Sequence, residues 1–543
     1  MPMRFRLFLL LWLLLGGMTL SAQTLVSSDL PILVINTNGQ TIQNNSKIRV
    51  DFRIIFNGEG VRNQVTDPPL LFNGKAGIEI RGQSSSGFPM KSYNIELQDL
   101  SGNDLDQSLF GMPEDSDWVL YAPYTDKTLM HNVLAYTLSR SMGHWAPRCR
   151  YVEVVINGNY RGIYVLMEKI KRTNGRLSLA TLQNTDNQGD ELTGGYIFSI
   201  DKEPNGWFSP VPVPNATDGG VRQWSFVYPK PDSITIPQRQ YLQSVVDAFE
   251  QKAASPQRAD PVNGLGSLID YGSFADYHII DELSKNVDGY RLSTYFHKDK
   301  DSRNSKIKAG PVWDFDIALR NANYCDGNNT AGWALDFNTV CPGQAAGLIP
   351  RLWYDIVRED SIFSDTLYCH WKALRQTVLH ETNLFRIIDS ISTLTAEART
   401  RHFVRWPILG VYVWPNPQPI PRDYSGEIAS LKLWLQQRLA WLDNHMPQQG
   451  TCKPLVRDGR LEVSVSPNPI QSQSVIRITS SVQQRLSVSI YNTYGQRLWS
   501  VEQLVNVGLT TLSSVPWSRW PHGMYVLQVR GVDGEREVVT VIN

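Results

Sequence analysis

The sequence predicts an α+β protein followed by a small, separate all-β sandwich. Short alternating strands dominate the first half of the chain, whereas apolar residues recur at helical spacing through most of the second half. A sheet-rich region followed by a helix-rich region is the order of an α+β fold. Because 543 residues are too many for one ordinary core, we expect several domains. Their predicted bounds are 1–22 for a leader, 23–205 for the sheet-rich region, 206–447 for the helix-rich region, 448–460 for a linker and 461–543 for the all-β sandwich.

The leader has the pattern of a secretory signal peptide. Arg4 and Arg6 precede an apolar run, 7–15, and small residues lead to a cleavage position near Ala22. That run is shorter than the ~20 residues a membrane-spanning helix needs, and no later stretch is apolar enough to span. We therefore expect export to the periplasm or beyond, with no transmembrane segment after signal cleavage.

Charge and cysteine content exclude some classes of protein. Lys plus Arg and Asp plus Glu both number 52, so no net field favours nucleic acid or an anionic membrane as a partner. The five cysteines are too few and too scattered for a disulfide scaffold, and they lack metal-site spacing. In an oxidising compartment Cys325 and Cys341 can either close a short loop or stay unpaired.

The elements of the sheet-rich region follow from alternation and turn residues. Alternating apolar residues predict four strands, at 31–35, 49–55, 76–81 and 92–97. One helix follows, with Thr125 or Asp126 as its N-cap and Gly143 just past its end. The sheet resumes as a hairpin around Asn157 and Gly158, a strong turn signal.

The helix-rich region opens on a stretch, 203–237, whose Pro, Gly and Asn content predicts a long irregular connection. Beyond it, a strand is predicted at 292–296. Helical spacing predicts five helices, at 238–252, 274–283, 361–379, 384–399 and 428–442.

A glycine-rich segment, 82–87, follows an alternating strand and carries three serines. Such a segment can be an ordinary hairpin loop, or it can offer backbone and hydroxyl donors to phosphate oxygens. Phe88 stands where a P-loop needs Lys, and the serines do not fit a nucleophile elbow. Lys91 begins the next strand, as the lysine beside the glycine-rich loop of protein kinases does.

Two acidic positions in the second half are candidates for chemistry. Asp288 follows a helix, where a carboxylate can accept a proton from a substrate hydroxyl or can simply form a turn. Asp314 and Asp316 would point to the same side of an extended chain, which suits Mg²⁺, although they can also be two solvated acids. Ser293 stands at the fifth position after Asp288, where kinases carry a metal-binding Asn.

Taken together, these motifs resemble the spore-coat protein H (CotH) kinase family. The resemblance implies an atypical protein-kinase fold with two lobes, 23–205 and 206–447, that binds ATP and Mg²⁺. It also implies transfer of phosphate to Ser or Thr of a secreted or surface protein substrate. The matching segments are 78–97, 117–120, 162–169, 194–196, 285–290 and 310–316.

The resemblance also implies residue roles. Asp288 would be the catalytic carboxylate, and Asp314 the metal ligand, with Asp316 and Ser293 as further metal candidates. Glu168 is a candidate for the edge of the nucleotide pocket or for pairing Lys91. The nucleotide-binding candidates are Arg81, Gln83, Ser84, Ser85, Lys91 and Glu168. The His-Arg-Asp motif of conventional kinases is absent.

The last segment, 461–543, resembles the C-terminal sorting domain of the type IX secretion system of Bacteroidetes. Its landmarks are 467–469, 494–495 and 523–526. The resemblance implies that the type IX secretion machinery carries the protein across the outer membrane, for release or attachment at the cell surface. A generic β-sandwich binding module is the alternative.

Two other functions remain open at this stage. The protein can keep a kinase fold as an inert surface or structural protein that transfers nothing. It can also be an exported glycan-binding protein, since its 16 Trp residues offer faces that stack on sugars, although most fall in patterns that suit a core.

Overall fold

The computed structural model of the chain describes most residues after the leader. The described residues are 24–202, 204–213, 221–341, 348–447, 452, 461–468, 470–471, 473–480, 484–492, 496–506, 508–521, 523–531 and 536–542. The predicted signal peptide lies outside them, as do the linker apart from Cys452 and the landmarks Pro469, Tyr494 and Gly495. The chain divides into two compact units, Met1–Gly450 and Thr451–Asn543.

The first unit begins with a closed β-barrel. Its strands lie in the order β2-β3-β5-β6-β7-β9-β8, and the parallel pair β2–β8 closes it, with Ile32 opposite Glu153. The strands β1 and β4 form a small separate pair. The bounds are β1 Ser27–Ser28, β2 Ile32–Asn36, β3 Ile48–Ile55, β4 Asn63–Gln64, β5 Phe72–Arg81, β6 Ser92–Gln98, β7 Asp117–Tyr121, β8 Cys149–Ile156 and β9 Asn159–Glu168.

The helix predicted inside this region, α1, runs over His131–Ser141 and starts later than expected. Asp126 does not cap it. Its carboxylate instead accepts from the backbone N–H groups of Thr128, at 2.9 Å, and His131, at 2.8 Å, and so organises the turn before the helix.

A second, four-stranded antiparallel sheet has the order β13-β10-β14-β15. It joins β10 to strands beyond residue 205, so it spans the predicted boundary between the lobes. The stretch 203–237 is not wholly irregular, since three strands form in it, and the strand expected at 292–296 lies two residues later. The bounds are β10 Tyr196–Ile200, β11 Phe208–Pro212, β12 Val221–Gln223, β13 Ser225–Tyr228, β14 Thr294–Lys298 and β15 Lys308–Ala309.

Helices dominate the rest of the first unit, as the apolar spacing predicts. The expected helix over 384–399 is two helices, α9 and α10, that meet at Thr395. No helix among the described residues is both long enough and apolar enough to cross a bilayer. The bounds are α2 Gly189–Leu192, α3 Ile236–Ala253, α4 Tyr271–Ser284, α5 Asp301–Asn304, α6 Phe337–Val340, α7 Arg351–Glu359, α8 Ser361–Arg375, α9 Glu381–Leu394, α10 Ala396–Arg405 and α11 Tyr424–His445.

Two further features complete the first unit. The disulfide between Cys325 and Cys341 is present, with their Cα atoms 5.2 Å apart. Apart from α-helices, short 3-10 turns occur at Ser85–Gly87, Leu265–Ser267 and Ala334–Asp336. The mixed α and β content is confirmed, and the two-lobed kinase arrangement stays a prediction.

The described residues of the second unit form β-strands and one 3-10 turn, at Trp517–Arg519. Its two antiparallel sheets, β16-β17-β20 and β19-β18-β21-β22, contribute to one buried apolar cluster. The bounds are β16 Glu462–Ser466, β17 Val475–Ser480, β18 Gln484–Asn492, β19 Arg497–Val505, β20 Gly508–Leu512, β21 Met524–Arg530 and β22 Arg536–Ile542.

Candidate active site

The loop that carries Asp288 is fixed by the end of α4. Lys285 caps this helix in the left-handed conformation, and its N–H donates to the carbonyls of Asp281 and Glu282. The hydroxyl of Tyr290, at the far end of the loop, lies 3.0 Å from Glu282 Oε1 and 2.8 Å from a ring nitrogen of His278. Both ends of the loop are therefore anchored to a buried helix.

Asp288 has a specific partner within this loop. A guanidinium nitrogen of Arg291 donates to Asp288 Oδ1 at 2.6 Å, and Arg291 Nε donates to the carbonyl of Val287 at 2.9 Å. Arg291 is itself buried against the ring of Phe337, 4.0 Å from its centroid. The buried guanidinium of Arg291 thus fixes the orientation of the Asp288 carboxylate.

Helix α1 holds the segment that carries Asp314 and Asp316. The N–H of Asp314 donates to the Tyr136 hydroxyl at 3.2 Å, and the N–H of Phe315 donates to Asn132 Oδ1 at 2.6 Å. The ring of Tyr136 also stacks on Trp313, with centroids 6.1 Å apart. These contacts use backbone groups and leave both carboxylates available.

The predicted extended geometry of this segment is wrong. Asp314 has φ of +64°, in the left-handed region, and no strand forms at 311–316. The two carboxylates therefore do not lie on one side of a strand by simple alternation. A left-handed residue that is neither Gly nor Asn is uncommon, and such residues concentrate at functional sites.

The charges of neighbouring carboxylates act on Asp314 and Asp316. Asp314 reaches solvent, yet the protein around it desolvates its carboxyl and raises its pKa, and the charges of Asp288 and Asp201 raise it further. The pKa of Asp316 lies well above its usual value, because of desolvation and then the charges of Asp314 and Asp288. Arg81 and Lys202 oppose the rise in the pKa of Asp314. We call Asp201, Asp288, Asp314 and Asp316 the acidic cluster.

Asp201 belongs to this group and was missed by the sequence analysis. It follows β10, and desolvation raises its pKa, while the backbone N–H groups of Lys202 and Ser293 lower it. The contribution of Ser293 is thus a backbone contact with Asp201, and Ser293 itself has φ of +49°. The one signal for Asp201 in the sequence is its position. It lies six residues after Gly195, which belongs to the segment 194–196 that carries the family resemblance.

The glycine-rich segment forms a compact turn at the end of β5. Gly82 has φ of +92°, and a Cβ there would lie 2.0 Å from Ser85 Oγ, so only glycine fits. The Ser86 hydroxyl donates to the carbonyl of Gln83 at 2.6 Å. Gln83 and Ser84 are exposed, and Ser85 is half-buried. Contact of these three side chains with a nucleotide stays a prediction.

Arg81, just before this turn, is a cation whose charge opposes the rise in the pKa of Asp314. Its guanidinium lies 5.4 Å from the centroid of the Trp313 ring, next to Asp314. Lys91 is placed differently. Its Nζ donates to the carbonyl of Ser86 at 2.6 Å, and among the described residues it forms no ion pair. Lys91 therefore stabilises the turn through this hydrogen bond.

Glu168 is not the partner of Lys91. It is fully buried and accepts from Arg148 Nε at 2.8 Å and from the backbone N–H of Arg148 at 2.9 Å. Arg176 lies 3.6 Å away and adds a second positive charge. Its role in the nucleotide pocket stays a prediction, but its charge is already balanced by two arginines.

The donor set fits a magnesium ion that is shared with phosphate. Carboxylate oxygens are the protein ligands Mg²⁺ prefers, and it commonly takes one or two of them together with substrate phosphates and water. In the described part of the chain, no three His, Cys, Asp or Glu side chains are arranged as a complete metal site. Asp314 and Asp316 would therefore hold the ion only with a nucleotide.

Comparison with known families identifies both units of the chain. A family model described as CotH kinase protein matches residues 78–442, about two thirds of the chain. A second, described as secretion system C-terminal sorting domain, matches residues 464–542. The sorting domain marks a secreted or outer-membrane surface protein that uses the type IX machinery. No curated protein matches the chain significantly.

Two solved structures show weak likenesses. The toxin–antitoxin system HipA, HipB and its operator DNA from Shewanella oneidensis MR-1 is 12% identical, with 71% of this chain and 70% of that chain covered and a TM-score of 0.25. The twitchin kinase region from C. elegans is 10% identical, with 96% and 99% covered and a TM-score of 0.13. Both TM-scores are too low to carry an argument.

Proposed function

This chain belongs to the CotH kinase protein family, and from that premise we propose that it is a secreted, Mg²⁺-dependent protein kinase. It transfers phosphate from ATP to Ser or Thr hydroxyls of proteins outside the cell or on its surface. The observation that supports the proposal is the proximity of three carboxyl groups: the charge of Asp288 acts on both Asp314 and Asp316, and the charge of Arg81 acts on Asp314.

Each residue has a distinct part in this proposal. Asp314 and Asp316 hold the cation that neutralises the phosphate charge, and Arg81 with the turn at 82–87 orients the phosphates. Asp288 faces the attacking hydroxyl and accepts its proton as transfer proceeds. Arg291 orients Asp288 through the 2.6 Å contact. Asp201 adds a negative charge that raises the pKa of Asp314.

The contact between Arg291 and Asp288 also supports a second candidate function. The contact occupies Oδ1 of the carboxylate that would have to accept the hydroxyl proton. A protein that binds Mg·ATP at the acidic cluster and transfers nothing would keep the same contacts. Both candidate functions predict Mg·ATP binding, and only the first predicts phosphate transfer.

Two substitutions separate binding from transfer. Asp314→Ala is expected to abolish Mg²⁺-dependent ATP binding, because it removes a ligand that acts in the ground state. Asp288→Ala is expected to spare binding and abolish transfer, because its role arises only as the hydroxyl attacks. A nucleotide-binding titration and labelled-phosphate incorporation into a generic protein acceptor measure the two.

Asp365→Ala is the matched control, since Asp365 is an exposed carboxylate on α8. It should change neither quantity. Undiminished Mg·ATP binding by Asp314→Ala would refute the metal assignment. Binding by the wild-type protein without transfer to any acceptor would favour the second candidate.

A further inference from the structure

Two stacked aromatic rings, one half-buried and one exposed, lie beside the loop that carries Asp288. The rings of Tyr324 and Trp414 are 5.8 Å apart and nearly parallel, at 9°. Trp414 is 46% exposed and Tyr412, two residues earlier, is 48% exposed. We call Tyr324, Tyr412 and Trp414 the aromatic shelf. Large aromatic side chains left in solvent at a site are typical of surfaces that bind another molecule.

Hydrogen bonds from Asn323 hold the aromatic shelf in place. The N–H of Asn323 donates to the carbonyl of Pro415 at 2.9 Å, and Asn323 Nδ2 donates to the Tyr412 hydroxyl at 3.0 Å. The disulfide at Cys325 ties the residue after Tyr324 to Cys341. A surface fixed before binding loses little conformational entropy when it binds, which favours affinity.

The turn that follows Tyr324 packs directly on the loop of Asp288. A Cβ at Gly327 would lie 2.5 Å from Val287 Cγ1, so the two segments touch. Asp326 Oδ2 also accepts from Lys285 Nζ at 3.0 Å. Burial and then the charge of Asp288 raise the pKa of Tyr324, which agrees with a hydroxyl close to that carboxylate. The shelf therefore adjoins Asp288.

The end of barrel strand β5 makes a separate approach to the acidic cluster. There Arg81 lies against Trp313 and acts on Asp314, next to the turn at 82–87. The nucleotide phosphates belong at this turn under the proposed function. An acceptor bound on the shelf would bring its hydroxyl to Asp288, which the shelf adjoins.

The charge of the acidic cluster selects among acceptors. Its four carboxyl groups are opposed by Arg81, Lys202 and Arg291. A group of negative charges attracts a positively charged segment and repels a negatively charged one. A neutral sugar would gain from the rings but nothing from this field.

We propose that the aromatic shelf binds an aromatic side chain of a basic polypeptide segment and so presents a neighbouring Ser or Thr hydroxyl to Asp288. This inference rests on the proposed function, since it names the acceptor of that reaction. Edge or face contact with Trp414 would anchor the segment, and a basic residue beside the hydroxyl would face the carboxylates.

The test uses short synthetic peptides with the full chain. In the first peptide a single serine is flanked by arginine and phenylalanine; in the second, alanine replaces the phenylalanine, and in the third, glutamate replaces the arginine. Binding is measured by anisotropy of a labelled peptide in the presence of Mg·ATP, and phosphate transfer is measured separately. The proteins are wild type, Trp414→Ala, Trp414→Phe and the control Phe208→Ala, which removes an exposed ring from β11.

We expect the wild-type protein to bind the first peptide about tenfold more tightly than either replacement. Trp414→Ala should lose the preference for phenylalanine but keep the preference for arginine over glutamate. Trp414→Phe should retain both preferences, and Phe208→Ala should behave as wild type. This pattern would assign phenylalanine to the shelf, because a misfolded variant would lose both preferences together.

Equal binding of the first two peptides by wild type, or an undiminished preference in Trp414→Ala, would overturn the proposal. So would binding of a neutral oligosaccharide that depends on Trp414 while no peptide binds, which would instead make the shelf a glycan site. Selective binding of the first peptide without transfer would leave the shelf standing and count against the kinase proposal alone.

Discussion

Glu250 is a buried carboxyl on α3, and it lies outside the acidic cluster. Its Oε1 accepts from the Ser209 hydroxyl at 2.9 Å, and its Oε2 accepts from Trp224 Nε1 at 3.1 Å. Burial raises the pKa of Glu250 from 4.5 to about 7 despite these two bonds. A carboxyl with a raised pKa binds its proton more tightly in the folded state. Folding stability therefore falls as pH rises between about 4.5 and about 7.

Glu250→Gln is expected to remove this loss of stability. The amide can donate to Ser209 Oγ, whose own proton can turn to the carbonyl of Val211, and its oxygen can accept from Trp224. The gain in the free energy of unfolding should reach up to about 3 kcal/mol above pH 7 and vanish near pH 4. Thermal unfolding at pH 5 and pH 8 measures it.

Glu359→Gln is the control for that substitution, because Glu359 is an exposed carboxyl on α7. It should leave the dependence of the melting temperature on pH unchanged. If Glu250→Gln melts with the same pH dependence as wild type, Glu250 is not the group that titrates.

Single positions of the acidic cluster were proposed in part from the sequence. Asp288 and Asp314 were proposed because their neighbours in the chain match a family pattern, and their roles stay a prediction. The partner of Glu168 was not, because Arg148 is brought to it by the pairing of β8 with β9, and strand register cannot be read from alternation alone. Asp201 was missed for a similar reason, since the pairing of β10 with β14 brings it near Ser293.

At the scale of elements, α10 and the start of β9 meet at a point where only glycine fits. Gly162 has φ of +104°, and a Cβ there would lie 2.8 Å from His402 Nδ1 and 3.0 Å from Trp406 Nε1. Two hydrogen bonds, one on each side of Gly162, join this strand to the end of α10. The N–H of Ile163 donates to His402 Nδ1 at 3.0 Å, and Trp406 Nε1 donates to the carbonyl of Arg161 at 2.8 Å.

Gly162→Ala should therefore destabilise the protein through both strain and overlap. A positive φ costs a residue with a Cβ about 1 kcal/mol, and the overlap adds about 1–3 kcal/mol. Gly158→Ala is the matched control, because Gly158 has φ of +76° with nothing within 4 Å of a Cβ. It should show the strain alone. Denaturant unfolding of the two variants measures the difference, and equal losses would contradict the close contact.

The junction of α9 and α10 shows what periodicity leaves out. No Gly or Pro separates the two helices, so the apolar spacing predicts one helix over 384–399. The helix is instead interrupted at Thr395, whose buried hydroxyl donates to the carbonyl of Ile391 at 3.0 Å. Beyond the interruption, His402 and Trp406 form hydrogen bonds with the barrel. Tertiary contacts of this kind decide a helix boundary that local propensity does not.

For the whole molecule, the sequence predicted strand positions better than it predicted their assembly. The opening strands were located because alternation is local. The closure of the barrel was not, since it pairs β2 with β8 across more than a hundred residues. A pattern of period two says which face of a strand is buried and does not say which strand lies beside it.

The division of the chain into two units leads to a prediction about export. The first unit, Met1–Gly450, and the second, Thr451–Asn543, are compact by themselves, and the sorting-domain match falls wholly within the second. Deletion of 461–543 should therefore leave a folded protein that accumulates in the periplasm, because it removes the segment read by the type IX machinery and none of the first unit's core. Cell fractionation with surface proteolysis measures this.

The matched experiment joins 461–543 to an unrelated periplasmic reporter, which should then reach the cell surface or the medium. A sorting signal is required for export and also redirects another protein to which it is joined. A domain needed only for stability would not redirect the reporter. Surface display of the truncated protein would contradict the sorting role. Aggregation or rapid proteolysis of the truncated protein would contradict the independence of the first unit, because its barrel and helices would then need contacts from residues beyond Gly450.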